Sequence, residues 1–423
     1  MTHPELGVAE RLESALRPFV GGDLPVRLKA WDGSSAGPDD APLVELHSAN
    51  ALRRMLWHPG ELGAAQAYVT GELEVPGDLA DALTHAFTVA RERGLSGRPS
   101  VPALVAAVRA AVDLGAVSTP PAAPASQARI RGRLHSKLRD TRAISHHYDL
   151  SNDFYSLLLD PSMAYSSGYW TKPPSSSYGV ADAQRDKLDL VCRKLGLEPG
   201  RTLLDVGCGW GSLSLHAAQY FGAKVTGVTI AAEQKKFIDA RIAERGLGDR
   251  VTIELCDYRD ATGTYDAVGS IEMGEHVGQR NYPTYAKVLH ARVRPGGRVL
   301  VQQMSRAGRW PGGGPFIESF IAPDMYMRPV GETIGFLESA GLELRDVQAL
   351  REHYVWTVAA WLDTFNAHEQ EIRELVGEEV LRVWRLYLVG GMLSFRDGRM
   401  GVDQMLFSRP NGGHSELAPV RSF

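Results

Sequence analysis

The sequence predicts an α/β protein whose main part is a doubly wound parallel sheet, preceded by a smaller N-terminal α+β domain. Three observations carry this prediction. From residue 188 onward, apolar runs alternate with helical patterns, as in parallel sheets that carry helices on both faces. A tight glycine turn joins the first apolar run to a helix. The earlier part of the chain lacks this alternation, and a stretch rich in Pro and Ala separates the two parts.

The first part of the chain, residues 1–117, is predicted to form the small mixed domain. Residues 25–31 and 43–46 have strand patterns, and residues 51–57 and 61–68 suggest short helices. We find no cluster of catalytic residue types there, so a packing or substrate-access role is favoured. Residues 118–145 form a linker and basic segment, and residues 146–423 the catalytic domain.

The basic segment carries seven basic side chains within a short stretch: Arg129, Arg131, Arg133, His135, Lys137, Arg139 and Arg142. Ile130, Leu134 and Leu138 recur at helical spacing, so one face of a helix there would be apolar. Two interpretations of this segment stay open: it contacts anionic phospholipid headgroups, or it is an ordinary solvated helix face.

Two histidines, His146 and His147, stand beside Asp149, but no third ligand is suitably spaced, so no metal site is predicted. The hydroxyl and aromatic side chains around Tyr165, Ser166 and Ser167 are typical of a pocket wall.

The five predicted strands of the sheet are residues 203–206, 224–229, 251–255, 265–271 and 297–303. Ligands of such sheets bind beyond the carboxyl ends of the strands. Gly207, Thr229, Asp257 and the group 272–276 stand at those ends. We therefore expect one binding site along this edge.

Bulk composition narrows the partners and the compartment. The chain has 423 residues, a formal net charge of -4 and three cysteines without CxxC spacing. No global charge favours nucleic acid, and the cysteines suit a reducing cytoplasm. Neither a signal-peptide pattern nor a long apolar run is present, so a cytoplasmic protein is expected.

The turn after the first strand reads Asp205-Val206-Gly207-Cys208-Gly209-Trp210-Gly211. Glycines let the backbone approach a ligand, and the following helix offers free N–H groups. The third glycine of the dinucleotide fingerprint is missing. This turn resembles motif I of class I S-adenosylmethionine (SAM) methyltransferases, which implies their fold; an ordinary strand-to-helix turn is the alternative.

Over nearly its whole length the sequence resembles the cyclopropane-fatty-acyl-phospholipid synthase family. The residues that carry the resemblance are His147, Tyr148, Asp149, Leu150, Tyr165, Ser166, the loop 205–211, Gly227, Val228, Thr229, Ile230, Gln234, Asp257, Tyr258, Arg259, Glu275, His276, Val277, Gly278, Tyr354, Trp361, Phe407, Ser408 and Arg409. The segment Gly71-Glu72-Leu73 is similar to the family's lipid-binding domain. The composition is compatible with an actinobacterial branch that makes 10-methylene and 10-methyl branched acids.

The resemblance implies that SAM is the cofactor. The resemblance assigns Asp205, Gly207, Gly209 and Gly211 to the glycine loop beside the amino-acid part of SAM, and Thr229 and Gln234 to the ribose. It assigns Asp257 and Tyr258 to adenine, and Tyr165 and Ser166 to a segment that closes over SAM.

The family's reaction adds a methyl group to an isolated double bond, leaving a carbocation that must lose a proton. Its base is a bicarbonate held by a Glu, a Tyr, a Cys and a His. The catalytic candidates in this chain are Glu275, His276, Tyr354, Ser167 and Gln302. Ser167 and Gln302 stand where the family has the Cys and the His, which puts bicarbonate in question. The faces of Tyr354 and Trp361 are expected to stabilise the cation.

Slower proton removal would allow a hydride shift and give a methylene-branched chain; immediate removal would close a cyclopropane ring. We expect the methylene product, with the cyclopropane as the alternative. A catalytically silent SAM-binding lipid protein and a methyltransferase for a small oxygen or nitrogen nucleophile also stay open. The resemblance further implies an unsaturated phospholipid substrate at the inner membrane face, a homodimer and a reductase for the methylene product.

Overall fold

The computed structural model describes residues 6–94, 101–128, 151–307 and 312–420. The chain divides into two compact units. Unit 1 comprises Met1–Gln127 and Val376–Leu393, and unit 2 comprises Ala128–Leu375 and Ser394–Phe423. The basic segment and the paired histidines lie outside the described residues.

Unit 1 is a small α+β unit, as predicted. Its strands are β1 (Arg27–Lys29), β2 (Ser35–Ala36), β3 (Leu43–Leu46) and β4 (Leu73–Glu74), paired in the order β2-β1-β3-β4. Its helices are α1 (Val8–Val20), α2 (Ala49–Trp57), α3 (Glu61–Val69), α4 (Leu79–Glu92) and α5 (Val101–Asp113). Leu12, Leu28 and Leu46 belong to one buried core between helices and strands.

The long helix near the C-terminus corrects the predicted domain boundaries. It spans Glu369–Arg396 and is interrupted at Gly377, whose φ of 79° is not helical. The segment Val376–Leu393, which the sequence prediction gave to the catalytic domain, belongs to unit 1. There, the buried Arg382 donates to the carbonyl oxygen of Tyr68 at 2.6 Å and to Glu74 at 2.7 Å. At the other boundary, the first part of unit 1 ends at Gln127, ten residues after the predicted end at residue 117.

Unit 2 contains a seven-stranded sheet with flanking helices. The strands are β5 (Thr202–Val206), β6 (Lys224–Thr229), β7 (Val251–Leu255), β8 (Tyr265–Ile271), β9 (Val293–Ser305), β10 (Glu343–Ala349) and β11 (Gly401–Ser408), in the order β10-β11-β9-β8-β5-β6-β7. The five strands β5 to β9 run parallel, and β11 is antiparallel to both of its neighbours. The doubly wound sheet is confirmed. The strands β10 and β11 are additional, and of these only β11 runs opposite to β5–β9.

Helices cover both faces of this sheet. The helices of unit 2 are α6 (Asn152–Leu158), α7 (Val180–Leu195), α8 (Ser212–Tyr220), α9 (Ala232–Glu244), α10 (Tyr282–Arg292), α11 (Pro315–Phe320), α12 (Val330–Ser339) and α13 (Arg351–Ala367). The interrupted helix Glu369–Arg396 is α14, and its residues Val376–Leu393 belong to unit 1. Successive strand residues point to opposite faces. Leu203 accordingly packs into one core and Leu204 into the other.

The order of the strands fixes where a ligand can bind. The chain leaves β5 toward β6 on one side, and β8 pairs with β5 on the other. A crevice opens outside the carboxyl ends of the strands where the order reverses in this way. Among the described residues, no helix is both long and apolar enough to cross a bilayer.

Candidate active site

An open cavity lies at the carboxyl ends of β5, β6 and β8, and its volume of about 1330 Å³ includes the solvent space at its mouth. Of the predicted cofactor-binding residues, nine line it: Tyr165, Ser166, Asp205, Gly207, Gly209, Thr229, Gln234, Asp257 and Tyr258. His276 and Glu272 line the same cavity. The predicted edge of the sheet therefore brings most of these residues together.

The glycine loop adopts backbone conformations that favour glycine. Gly207 and Gly209 have φ values of 78° and 54°, in the left-handed region that L side chains avoid. A Cβ atom on Gly207 would lie 2.7 Å from Cγ of Met273, while one on Gly209 would meet nothing within 4 Å. Gly209 thus leaves open space at the cavity, whereas Gly207 allows close packing against Met273.

The third predicted glycine has a different function in the structure. Gly211 is the residue before α8 and does not line the cavity. A Cβ atom there would lie 2.9 Å from Ile238 in α9. Gly211 therefore allows α8 and α9 to pack closely, and its predicted contact with SAM stays a prediction.

A buried amide faces the cavity at the end of β6. The Thr229 hydroxyl donates to Oε1 of Gln234 at 3.1 Å. Gln234 is buried, lines the cavity, and its Nε2 has no hydrogen-bond partner among the described residues. Unpaired buried donors are costly, so this amide fits a ligand hydroxyl, as the predicted contact with ribose requires.

The predicted adenine pair also has partners within the protein. Both carboxylate oxygens of Asp257 accept from the Arg259 guanidinium, each at 2.6 Å. The ring of Tyr258 packs edge-on against Tyr285 with centroids 5.7 Å apart. Both residues border the cavity and the protein interior, so a contact with adenine would be shared with these interactions.

A buried lysine that we did not predict lies beside the cavity. Lys187 is fully buried in α7 and donates to the Ser166 hydroxyl at 2.8 Å. Burial lowers its pKa to about 8, against the opposing charges of Glu272, Asp160 and Asp205. Its spacing of four residues from Ala183 and Val191 on the buried face of α7 was the available signal.

Asp205 forms part of the support of the glycine loop. Its carboxylate accepts from the Ser214 hydroxyl at 2.7 Å, which ties β5 to α8. Burial raises the pKa of Asp205 to about 6.

Aromatic rings form a continuous wall next to the cavity. The ring centroids of Tyr165 and Trp361 are 5.4 Å apart, those of Trp361 and Tyr354 are 6.0 Å apart, and those of Tyr354 and Phe395 are 4.4 Å apart. Aromatic faces attract cations. Tyr165 lines the cavity, and stabilisation of a carbocation by Tyr354 and Trp361 stays a prediction.

Three donors from three elements converge on one carboxylate, that of Glu272. Oε1 accepts from the backbone N–H of Ser167 and from Nε2 of Gln302, both at 2.9 Å. Oε2 accepts from the Tyr354 hydroxyl at 2.7 Å. Burial raises the pKa of Glu272, and the three donors and the Lys187 ammonium oppose that shift.

The carboxylate in this cluster is not the one that the sequence predicted. Glu275 lies in the short turn Gly274–His276, fully buried; its Oε1 accepts from the Met304 N–H at 3.1 Å, and its Oε2 has no partner among the described residues. Burial, and then the charge of Glu272, raises the pKa of Glu275 to about 8. Tyr354 and Gln302 thus meet at Glu272, which replaces Glu275 as the central carboxyl group.

Ser167 contributes differently from the prediction as well. Its hydroxyl donates to the carbonyl oxygen of Gly168 at 3.0 Å, and only its backbone N–H reaches Glu272. A backbone donor does not depend on the side chain at this position. The replacement of a Cys by Ser167 therefore has less consequence for this hydrogen bond than the sequence suggests.

The position of Glu272 depends on an unusual backbone conformation. It directly follows β8 and has a φ of 49°, rare for a residue other than glycine. Its N–H donates to the carbonyl oxygen of Gln302 at 2.6 Å. Residues held in this region commonly cluster at functional sites.

The resemblance implies two bound groups, SAM and bicarbonate, and only SAM fits the site. The open glycine loop and the unpaired Gln234 amide fit SAM. A bicarbonate does not fit, because Ser167, Gln302 and Tyr354, which stand at the positions of three of the family's bicarbonate ligands, already bind the Glu272 carboxylate.

Comparisons with known proteins agree with the methyltransferase fold of unit 2. The family model described as mycolic acid cyclopropane synthetase matches residues 135–405. The chain is 35% identical to the probable fatty acid methyltransferase Rv3720 of Mycobacterium tuberculosis, over 100% of this chain and 99% of that protein. It is 34% identical to the tuberculostearic acid methyltransferase UfaA1 of the same organism, over 91% of this chain and 88% of that protein.

The similarity to proteins named for cyclopropane formation covers less of the chain. The cyclopropane-fatty-acyl-phospholipid synthase of Escherichia coli is 36% identical over 65% of this chain and 70% of that protein. The crystal structure of the mycolic acid cyclopropane synthase CmaA1 complexed with SAH and CTAB superposes with a TM-score of 0.59 and 28% identity. It covers 63% of this chain and 97% of that one.

Proposed function

The chain belongs to the mycolic acid cyclopropane synthetase family, and from this we propose that it methylates the double bond of an unsaturated phospholipid acyl chain and yields a methylene-branched chain. It is a SAM-dependent methyltransferase that acts on lipid acyl chains. The observation that carries the proposal is that one cavity is lined by Gly207 and Gly209 of the glycine loop, by Glu272, and by Tyr165, whose ring packs against Trp361 of the aromatic wall. The product would be the precursor of a 10-methyl acid.

The geometry suits chemistry on an unreactive double bond. When bound, SAM supplies an electrophilic methyl group. An alkene needs no base to activate it, but the resulting cation must be kept from water and must lose a proton. Ser167 and Gln302 are fully buried, and the wall containing Tyr165 and Trp361 is apolar. These residues would shield and stabilise the cation.

Two considerations favour the methylene product over the cyclopropane alternative. The relatives named for methyl transfer to fatty acids match 91–100% of this chain, whereas the E. coli cyclopropane synthase matches 65%. In addition, Gln302 stands where the resemblance implies a His beside the family's base. A base held differently would remove the proton more slowly, which leaves time for the hydride shift.

The experiment incubates the protein with methyl-labelled SAM and vesicles of oleoyl phospholipid. Label in the acyl chain is expected, and proton NMR of the extracted lipid should show vinylidene protons. Strongly shielded ring protons would instead establish the cyclopropane alternative. Absence of label from the lipid, with SAM binding intact, would favour the silent lipid-binding alternative.

We also propose that unit 1 associates peripherally with the inner face of the membrane. Val105, Val108 and Val112 recur along one face of α5 and are 47%, 47% and 56% exposed. An apolar stripe of this kind can enter the boundary between headgroups and acyl chains. Co-sedimentation with phospholipid vesicles tests this directly.

Two further partners belong to the proposal. A methylene product would be the substrate of a separate reductase, and the protein would act as a homodimer. Product turnover on adding a cellular reductase fraction with a hydride donor, and molar mass in solution, test these two expectations.

A further inference from the structure

The strongest unexplained feature of the site is the Glu272 carboxylate itself. It lines the cavity, but the three groups that hold it are buried behind it. A surface carboxylate beside a strand end would not require donors from the loop at Ser167, from β9 and from α13. A carboxylate with one side held and one side open to a cavity is suited to exchanging a proton with a ligand.

The donors are themselves oriented by other buried groups. Nε2 of Gln404 donates to Oε1 of Gln302 at 3.1 Å. This contact fixes the Gln302 amide so that its NH₂ group faces Glu272. The ring of Tyr354 is stacked on Phe395 and is 5% exposed. The position of the carboxylate is thus determined by residues that cannot rotate freely.

From this arrangement we propose that Glu272 is the proton acceptor of the reaction, in place of a bound bicarbonate. This inference rests on the proposed function. The protein's own carboxylate occupies the point where Ser167, Gln302 and Tyr354 converge. Gln404 acts as a positioning residue through Gln302.

The step balances with the groups at hand. The alkene electron pair forms a bond to the methyl carbon, and the carbon–sulfur bond breaks with its pair going to sulfur. A hydride then moves from the methylated carbon to the neighbouring cationic carbon. The Glu272 carboxylate takes one proton from the added methyl group, and the freed C–H pair forms the exocyclic double bond. Glu272 becomes a carboxylic acid and returns its proton to water when the product leaves.

The same carboxylate can also serve ring formation. In that case the freed C–H pair closes the ring, and again one proton passes to Glu272. The assignment of the proton acceptor and the assignment of the product are therefore separable by experiment.

The test compares two carboxyl groups three residues apart, using methyl-labelled SAM and oleoyl phospholipid vesicles. Glu272→Gln keeps the size of the side chain but removes the proton acceptor, so turnover should fall by about 10²-fold or more, with SAM affinity unchanged by calorimetry. Glu275→Gln is the matched comparison and should lose less than about 10-fold, because its carboxyl contacts none of the three donors. The reverse order of losses would overturn the assignment.

A second measurement separates a proton acceptor from a merely structural group. Glycine tolerates the φ of 49° at this position, so Glu272→Gly should fold and leave space for a small acid. Added formate or acetate should restore part of its activity. Failure of rescue in a variant that still binds SAM would overturn the assignment.

A third experiment tests whether the reaction depends on bicarbonate. Wild-type turnover in buffer freed of carbon dioxide should equal turnover with bicarbonate added. A wild-type enzyme that needs bicarbonate would overturn the assignment while leaving the proposed function intact. A wild-type enzyme that binds SAM but never labels the lipid would overturn both.

Discussion

The hydrogen bond from Tyr354 to Glu272 gives a prediction with a defined sign and size. Tyr354→Phe removes a hydroxyl that lies 2.7 Å from Oε2, while the ring can keep its stacking on Phe395. A hydrogen bond to a charged group contributes about 1.5–3 kcal/mol. One pKa unit corresponds to about 1.4 kcal/mol, so the pKa of Glu272 should rise by about 1–2 units.

The sign follows from the charge state that the donor stabilises. Glu272 must be ionised to accept a proton, so activity is lost as the pH falls through its pKa. Raising that pKa moves the acidic limb of the kcat profile to higher pH. The other titratable groups that bear on Glu272, Lys187 and Glu275, are unchanged in this variant.

The assay is turnover of oleoyl phospholipid vesicles against pH, with SAM affinity measured in parallel. Tyr178→Phe is the matched control, because it removes a hydroxyl that donates to Asp186 at 2.6 Å and does not line the cavity. Its acidic limb should coincide with that of the wild type. An unshifted limb in Tyr354→Phe would refute the assignment of that limb to Glu272.

Three other expectations follow from the same contacts. Gly207→Val should weaken SAM binding by about 10²-fold, because its φ is 78° and a Cβ atom would meet Met273; near-normal affinity in calorimetry would contradict the loop assignment. Ser167→Cys should leave the product ratio unchanged, since the contact is a backbone one, whereas Gln302→His should shift the NMR ratio toward the ring by altering a donor to Glu272. Val108→Glu should reduce co-sedimentation with vesicles, and equal sedimentation would exclude α5 as the membrane contact.

Much of the catalytic sheet could be predicted from periodicity alone. The predicted strands at 224–229, 251–255 and 265–271 coincide with β6, β7 and β8. The strands β10 and β11 were missed. β11 is buried along almost its whole length, and a short buried run does not distinguish a strand from a core helix.

The site was predictable as a location but not as a contact list. The positions 272–276 follow a strand end, and three of these five residues, Glu272, Met273 and His276, line the cavity. Which of Glu272 and Glu275 meets Tyr354 depends on a left-handed backbone at a glutamate, for which the sequence has no local signal. The role of Lys187 was missed because a lysine on an apolar helix face is usually taken to extend its charged end to solvent.

The segment Val376–Leu393 affects how unit 1 folds during synthesis on the ribosome. Unit 1 begins at the N-terminus, yet it is completed by residues made roughly 250 positions after Gln127. At about 5–20 residues per second, a ribosome needs roughly 12–50 seconds to cover that interval. During this time the carbonyl oxygens of Tyr68 and Leu73 lack the hydrogen bonds that Arg382 donates to both in the folded protein. A polypeptide truncated before residue 376 therefore cannot complete unit 1, because it lacks Val376–Leu393 even though Met1–Gln127 is present.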